Sequence, residues 1–349
     1  MKVAFVIDSL KSGGAERAVS NISLAMEDDH EVDVIVFDSE NRGYPHGGQL
    51  IDLNIISSES LLGKISNVIK RSFALRRLYR QKNYDGIFTF MEAAGFPSVL
   101  ASRETIVSVH DNPKSLPRNY KLFYPLLYPR AKRIAACAQA IESKLQEEYG
   151  FSNLTTVYNA VNVAQAIELS KEPIDEKSPF ILAVGRLAPQ KGFDLLIDAF
   201  AQSQAKTTVK LIILGEGKDR EALQQQILRY DLEDRIILKG NIDNPFAYYA
   251  RAEFFVLSSR HEGFPNILIE ALACECPCVA FDCETGPNEI IHHGTNGLLV
   301  PAEDVPALTQ EIDYLAASQP MQQLLRSKAR DSIKHLSPQQ IANDWLALI

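Results

Sequence analysis

The sequence predicts an α/β protein built of two doubly wound, parallel-sheet domains. Three observations predict it. Apolar runs without polar alternation, the mark of strands buried on both faces, alternate with segments of helical periodicity. That alternation stops at a charged, aperiodic stretch and then begins again. The chain of 349 residues is also long enough for two cores rather than one.

Each element follows from its residues. In the first half "VAFVID" (3–8) and "VDVIVFD" (32–38) are strand-length runs rich in Val, Ile and Phe. Between them "GGAERAVSNISLAM" (13–26) sets its apolar residues at helical spacing. "KISNVIKRSFALRRLYRQ" (64–81) is a long basic helix, and "DGIFTF" (85–90) and "ETIVSVH" (104–110) are further strands. The second half starts afresh with the strand "FILAVGRL", the helix "FDLLIDAFAQS", the strand "VKLIILGEG" and the helix "KDREALQQQILRYD". The strands "RIILKG" and "AEFFVLSS", the helix "PNILIEALA", and the strands "CPCVAF" and "NGLLVP" follow. Short connections between alternating strands and helices imply parallel sheets covered by helices. The pattern sets a first domain over residues 1–168 and a second over 180–335. "LSKEPIDEKSP" (169–179), charged and Pro-containing, reads as the linker.

Composition narrows the class. Hydrophobic residues at 46% and charged residues at 23% suit a globular protein with a sizeable core. No apolar run reaches bilayer length. The opening "MKVAFVIDSL" meets Asp8 too soon for a signal peptide, so a cytoplasmic protein is expected. The sequons at Asn21 and Asn153 then carry no glycan expectation. Cys274, Cys276 and Cys278 alternate, which in a strand puts them on one face. With His292 and His293 they raise the possibility of a metal site, but no C-x-x-C pair is present. Buried thiols acting as small apolar side chains, and no metal, are the expectation. The net charge of −8 is uneven: residues 1–170 hold 19 Lys and Arg against 19 Asp and Glu, so the remainder carries all of it.

Chemistry is expected where strands end, because open α/β sheets bind ligands outside their carboxyl ends. "GRLAPQKG" (185–192) places Arg186 and Lys191 in one loop after a strand, a pair suited to a diphosphate. "EGFPN" (262–266) precedes a helix whose first turn offers amides to an anion, with Pro265 suited to that turn. Glu262 stands before this helix start and Glu270 about one turn inside it. Carboxylates accept from hydroxyls and repel phosphate, so acids flanking a phosphate site fit a ligand that runs sugar, diphosphate, ribose. Gly13 and Gly14 in "SLKSGGAER" permit close backbone approach at another helix start. The string is not G-x-G-x-x-G, which excludes the dinucleotide fingerprint, and Asp38 at the end of the second strand is then a chance match. His110 ends a strand of the first half. Residues 61–84 and 112–141 contain no acid. They hold Lys64, Lys70, Arg71, Arg76, Arg77, Arg80 and Lys82, then Lys114, Arg118, Lys121, Arg130, Lys132 and Arg133, interleaved with Tyr120, Phe123, Tyr124 and Tyr128. Such stretches suit an anionic membrane surface, a lipid-diphosphate acceptor, a nucleic acid or a plain solvated helix face.

"GRLAPQKG", followed some way on by "EGFPNILIEALACECPCVAFDCETGPNEII" (262–291), resembles the family-4 retaining glycosyltransferases. Glu262 and Glu270 match that family's E-x7-E motif, and "SGGAER" extends the resemblance to nearly the whole chain. "SGGAER", "TGPNEII" and "NGLLVP" look most like bacterial enzymes that build O-antigen, capsule or lipid-linked oligosaccharides. The resemblance implies the GT-B fold, two Rossmann-like domains facing across a cleft. It implies metal-independent transfer of an α-linked hexose or N-acetylhexosamine from a nucleotide sugar, a UDP-sugar above all, with retention and without a protein nucleophile. By the same resemblance Arg186 and Lys191 bind and stabilise the diphosphate, and Glu262 holds donor-sugar hydroxyls. Gly263, Phe264, Pro265, Asn266, Ile267 and Leu268 offer backbone to sugar and phosphate, and Glu270 holds the ribose. Gly13 and Gly14 line the diphosphate side, His110 meets the reacting sugar or acceptor, and Gly215 and Gly240 lie near the base. The last helix, within 336–349, is expected to pack back on the first domain with Trp345 as its anchor.

The expected partners are therefore a nucleotide sugar, a polyprenyl-diphosphate-linked glycan acceptor and an anionic membrane, but no nucleic acid. Lys70, Arg71, Arg76, Arg77, Arg80, Lys121 and Arg130 form the membrane or acceptor patch, on a protein peripheral to the inner face of the plasma membrane. "TFMEAAGF" around Glu92 matches no pattern of the family and leaves the acceptor open. A UDP-sugar epimerase of the same fold and a non-catalytic nucleotide-sugar-binding protein are the competing readings. A nicotinamide dehydrogenase is disfavoured for want of its glycines.

Overall fold

The computed structural model of the chain describes residues 1–349 except 12, 41–42, 59 and 117, and except the side chains of 61, 62, 115, 118 and 119. Arg118, one of the basic residues of the sequence pattern, thus has its side chain outside the described set. The chain divides into two compact units: Met1–Ala160 with Leu336–Ile349, and Val161–His335.

The first unit holds seven parallel strands: β1 (Lys2–Ile7), β2 (Glu31–Val36), β3 (Gln49–Asp52), β4 (Gly86–Phe90), β5 (Thr105–Val109), β6 (Arg133–Ala136) and β7 (Leu154–Thr156). Their spatial order is β3-β2-β1-β4-β5-β6-β7, so the winding reverses between β1 and β4. Strand β1 runs parallel to both neighbours, with Val3 opposite Val32 and Gly86. Its residues Val3 to Ile7 are all buried, which is why the run shows no polar alternation. The helices are α1 (Gly14–Met26), α2 (Leu61–Lys82), α3 (Glu92–Ala101), α4 (Arg118–Leu127) and α5 (Gln139–Tyr149). Ser60 caps α2 by accepting from the Gly63 N–H, and Asn83 ends it in the left-handed region at φ 51°.

The second unit repeats the plan with six parallel strands: β8 (Phe180–Val184), β9 (Lys210–Leu214), β10 (Ile236–Gly240), β11 (Phe254–Leu257), β12 (Cys278–Asp282) and β13 (Leu298–Pro301). The order β10-β9-β8-β11-β12-β13 reverses between β8 and β11. Its helices are α6 (Val163–Ser170), α7 (Phe193–Gln202), α8 (Arg220–Arg229), α9 (Phe246–Tyr249), α10 (Asn266–Ala273), α11 (Pro287–Ile290), α12 (Val305–Ala317) and α13 (Gln319–Ser332). One core runs through it, including Ile181, Leu196, Phe200, Ile213, Val256 and Leu308, all essentially buried.

The boundary drawn at 168 falls inside α6, which belongs to the second unit. Asn244 Nδ2 donates to the Leu169 carbonyl at 2.8 Å and Arg251 Nη1 to that of Ser170 at 3.0 Å. The charged stretch that follows is also bound to this unit: Lys239 meets Asp175 at 2.7 Å and Lys210 meets Glu176 at 3.1 Å. Its charges read as a free linker, yet Asp175 and Glu176 are spent on ion pairs with this unit. The final helix, α14 (Pro338–Leu346), lies in the first unit. There the Trp345 ring sits 5.2 Å from both Phe88 and Phe90.

The thiols are not on one strand face. Cys274 caps the end of α10, Glu275 turns the chain at φ 56°, and Cys278 opens β12. All five cysteines are buried, and burial pushes the Cys274 thiol up to about 12.

Candidate active site

In the second unit the loops that follow β8 and β11 leave adjacent strands at the point where the winding reverses, where such sheets open a crevice. They carry the two motifs. The β8 loop closes on a short turn, Pro189–Lys191, followed by Gly192 at φ 60°. A Cβ on Gly192 would stand 2.1 Å from the Ser258 carbonyl oxygen, so only glycine lets the loops approach.

The approach is fixed by a series of bonds. Ser258 Oγ donates to the Lys191 carbonyl at 3.0 Å, and the Arg260 N–H donates to the Gln190 carbonyl at 2.8 Å. Gln190 Nε2 returns a bond to the His261 carbonyl at 3.0 Å. The Arg260 guanidinium takes the Pro189 carbonyl at 2.7 Å and both oxygens of Asp194 at 2.8 and 2.6 Å. Within this frame Lys191 Nζ lies 2.6 Å from Glu262 Oε1. Ser259 Oγ donates to the same oxygen at 2.5 Å. Thr285 Oγ1 donates to the Glu262 carbonyl. Glu262 is only 7% exposed, so the carboxylate is held on its backbone and its side chain alike.

Arg186, in the same loop as Lys191, is exposed. Gly263 precedes a buried Phe264, and Pro265 is the residue before α10 rather than its first helical residue. Asn266 and Ile267 open the helix half-buried, and Leu268 points into the core. Glu270 is 4% exposed, not the solvated helical acid its position allowed. Gly215 directly follows β9 and Gly240 ends β10, and the two join through a 2.7 Å bond from the Gly215 N–H to the Gly240 carbonyl. The structure thus brings Lys191, Glu262 and the start of α10 together. Ser258, Ser259, Arg260 and Thr285 are site residues that sequence reasoning passed over. Their only signal was adjacency to the motifs, since a serine beside a strand end has many uses.

In the first unit the loops after β1, β4 and β5 hold the other candidates. Gly13 precedes α1 and Gly14 begins it, but the Glu16 carboxylate folds back against Gly13, 2.3 Å from where a Cβ would stand. Burial raises the Glu16 carboxyl above its ordinary range. His110 Nε2 is 2.8 Å from Ser108 Oγ and its ring lies 5.5 Å from that of Phe90. Burial lowers its pKa to about 4, so the ring is neutral at pH 7. Asp38 is held by Lys11 at 2.6 Å.

The basic patch needs a correction at Arg71, which is 3% exposed. Its guanidinium pairs with Asp8 at 2.7 Å, lies 4.0 Å over the Phe37 ring, and donates to the carbonyls of Ile55 and Ala93. Pro97, four residues on in α3, has no N–H to offer the Ala93 carbonyl, and Arg71 takes that place. Lys70, Arg76, Arg77, Arg80 and Arg130 are exposed, and Lys121 bonds the Lys114 carbonyl at 2.7 Å. Arg76, Arg77 and Arg80 line one surface groove with Phe73, which is 71% exposed. Tyr124 and Tyr128 are not surface aromatics either. Both are buried against Phe96, and Tyr124 donates to the buried Glu92 at 2.5 Å. Burial raises the Glu92 carboxyl. Among the described residues no helix is long and apolar enough to cross a membrane, and no cluster of metal-ligating side chains occurs.

Residues 12–165 match the family model described as Glycosyltransferase Family 4, and residues 165–332 that described as Glycosyl transferases group 1. The chain is 29% identical to the N-acetylgalactosamine-N,N'-diacetylbacillosaminyl-diphospho-undecaprenol 4-alpha-N-acetylgalactosaminyltransferase of Campylobacter jejuni, over 99% of this chain and 98% of that protein. It is 26% identical to the amylovoran biosynthesis glycosyltransferase AmsD of Erwinia amylovora, over 99% and 98%. Among solved structures, Anabaena HepE in complex with UDP-glucose superposes with a TM-score of 0.81 at 22% identity, over 99% of this chain and 98% of that one. Two doubly wound units, the paired motifs at one switch point and family matches spanning residues 12–332 agree: the chain is a glycosyltransferase and belongs to family 4 of the GT-B fold.

Proposed function

We propose that the protein is a retaining, metal-independent hexosyl- or N-acetylhexosaminyltransferase. It moves an α-linked sugar from a UDP-sugar to a polyprenyl-diphosphate-linked glycan in the assembly of a bacterial surface polysaccharide or related glycan. The observation that carries this reading is the convergence of Lys191 and Glu262, 2.6 Å apart, from two loops cross-bonded at a switch point. A cation there suits a diphosphate, and an acceptor-only carboxylate suits sugar hydroxyls.

Lys191 and the exposed Arg186 supply the positive charge. As the bond between the sugar's C1 and the β-phosphate oxygen breaks, charge grows on the phosphate, and fixed cations stabilise it. The acceptor hydroxyl attacks C1 on the same face, forms the new C–O bond, and gives its proton to the departing phosphate oxygen. Glu262 holds donor-sugar hydroxyls and Glu270 the ribose. The backbone from Gly263 to Leu268 serves sugar and phosphate, while Gly215 and Gly240 flank the base. On the acceptor side Gly13 and Gly14 line the diphosphate. His110, neutral at pH 7, exchanges hydrogen bonds with the reacting sugar or the acceptor without adding charge.

The acceptor class is supported by the Campylobacter relative, whose name places a diphospho-undecaprenol under the sugars it extends. The membrane face is supported by Lys70, Arg76, Arg77, Arg80, Lys121 and Arg130 lying in one unit with exposed Phe73, Leu122 and Leu126. Cations beside apolar side chains suit a peripheral protein on an anionic cytoplasmic leaflet. Uracil is the base to test first, being that of the sugar nucleotide in the HepE complex.

The test is thermal denaturation with UDP, GDP, ADP and NAD, followed by transfer assays in EDTA and an NMR reading of the product anomer. A shift with UDP that is lost in Lys191→Ala, and an α product formed without metal, are expected. A shift with NAD alone, a β product, or sugar isomerisation without acceptor would overturn the reading.

A further inference from the structure

Glu262 has two carboxylate oxygens, and the protein uses them unequally. Lys191 Nζ and Ser259 Oγ both converge on Oε1, at 2.6 and 2.5 Å. Among the described residues no hydrogen bond falls on Oε2. A glutamate side chain has three rotatable bonds, and an ion pair with a flexible lysine does not by itself choose which oxygen faces the ligand. A hydroxyl at a strand end does choose. Ser259 directly follows Ser258, the first residue past β11, and is 1% exposed. Its single proton is committed to Oε1, and the Glu262 backbone is held independently by Thr285.

We infer that Ser259 is a positioning residue of the donor site. It pins Oε1 into the Lys191 pair, so that Oε2, with its lone pairs unspent, is presented to a hydroxyl of the donor sugar. The inference rests on the reading of Glu262 as the acceptor of donor-sugar hydroxyls. Being buried, Ser259 itself touches no substrate. Its effect passes through the carboxylate, and its removal leaves Lys191 in place to hold the diphosphate.

The two levels come apart in an experiment on the full chain with Ser259→Ala, Ser259→Thr, Glu262→Gln and the Ser259→Ala/Glu262→Gln double variant. UDP affinity is measured by calorimetry, and turnover of UDP-N-acetylgalactosamine and UDP-glucose is followed as UDP release, with thermal melts checking folding. For Ser259→Ala a fall in kcat of about 10- to 100-fold is expected, the strength of a hydrogen bond to a charged group, with the UDP Kd within about twofold of wild type. Ser259→Thr, which keeps the hydroxyl, should recover most of the rate. In the Glu262→Gln background the serine change should add less than about twofold, because the group it orients is gone. Wild-type turnover by Ser259→Ala, failure of threonine to rescue a folded protein, or an undiminished effect in the double variant would overturn the inference alone. Wild-type turnover by Glu262→Gln would remove the underlying reading and the inference with it.

Discussion

The two units place a cation at the same topological position and use it in opposite ways. In the second unit Lys191, on the loop after β8, has Glu262 as its one side-chain partner among the described residues, for an ammonium with three donors. In the first unit Arg71 reaches the equivalent reversal between β1 and β4, where Asp8 and the carbonyls of Ile55 and Ala93 absorb its donors. The difference lies in saturation. A cation whose donors are all taken holds the fold, and one with donors to spare is available to a ligand. Charge at a strand end is therefore not enough to mark a binding residue.

Arg71→Met breaks the comparison most directly. Removing a buried guanidinium from a pair and two carbonyls should cost about 3–5 kcal/mol, read by urea unfolding. Arg71→Lys should recover little, since an ammonium cannot span those acceptors. An unchanged midpoint would mean that Arg71 is free after all. The counterpart is Lys191→Ala, expected to lower turnover by about 100- to 1000-fold, the loss typical of one fixed donor to developing charge. Its thermal midpoint should move much less than that of Arg71→Met, because the Arg260 bonds to the same loop remain.

A smaller effect separates the exposed cations from the buried one. Charge reversal at Arg76 and Arg77 should leave stability within about 0.5 kcal/mol. Each reversal should weaken binding to phosphatidylserine vesicles by about 1 kcal/mol or more, less so in high salt. Vesicle binding equal to wild type would reduce this face to a solvated helix surface.

The same contrast explains what the sequence revealed. The second unit's candidate site could be proposed from the sequence because its residues come as short strings at strand ends, "GRLAPQKG" and "EGFPN", whose chemistry is carried locally. The role of Arg71 could not, because it depends on Asp8, 63 positions earlier, and on a carbonyl freed by Pro97, which no periodicity exposes. Tyr124 and Tyr128 sat in a stretch without acids and read as surface, while Glu92, the acid they surround, lay outside that window. The long apolar strand runs were read as strands, but the short buried β6 was passed over, because its residues lay in a stretch read for its basic side chains. The short edge strands β3 and β7, half-buried and polar, gave no apolar run to read. The α6 boundary was missed for a related reason: charge suggested a linker, and only the partners Lys210 and Lys239 reveal it as packed.

The smallest prediction concerns His110, the first unit's candidate least like a charged tool. Burial holds its pKa at about 4, below the ordinary value near 6.5, so on acidification the unfolded chain takes up this proton first. The folded state should therefore lose stability as pH falls from about 6.5 to 4, with the histidine's contribution fully present above that window. For a half-buried ring we expect about 1–2 kcal/mol, less than the full shift implies, because solvent screens part of it. Glu92 works against this trend. Its raised carboxyl pKa favours the protonated form in the fold, so acidification near and just above its ordinary range relieves a cost. His110→Gln should remove the loss and leave the opposite slope of Glu92. Melts at pH 7, 6 and 5 measure the difference. If wild type and variant ran parallel, His110 would be as protonatable in the fold as in the unfolded chain, and its assignment as a neutral partner of the reacting sugar would fall with it.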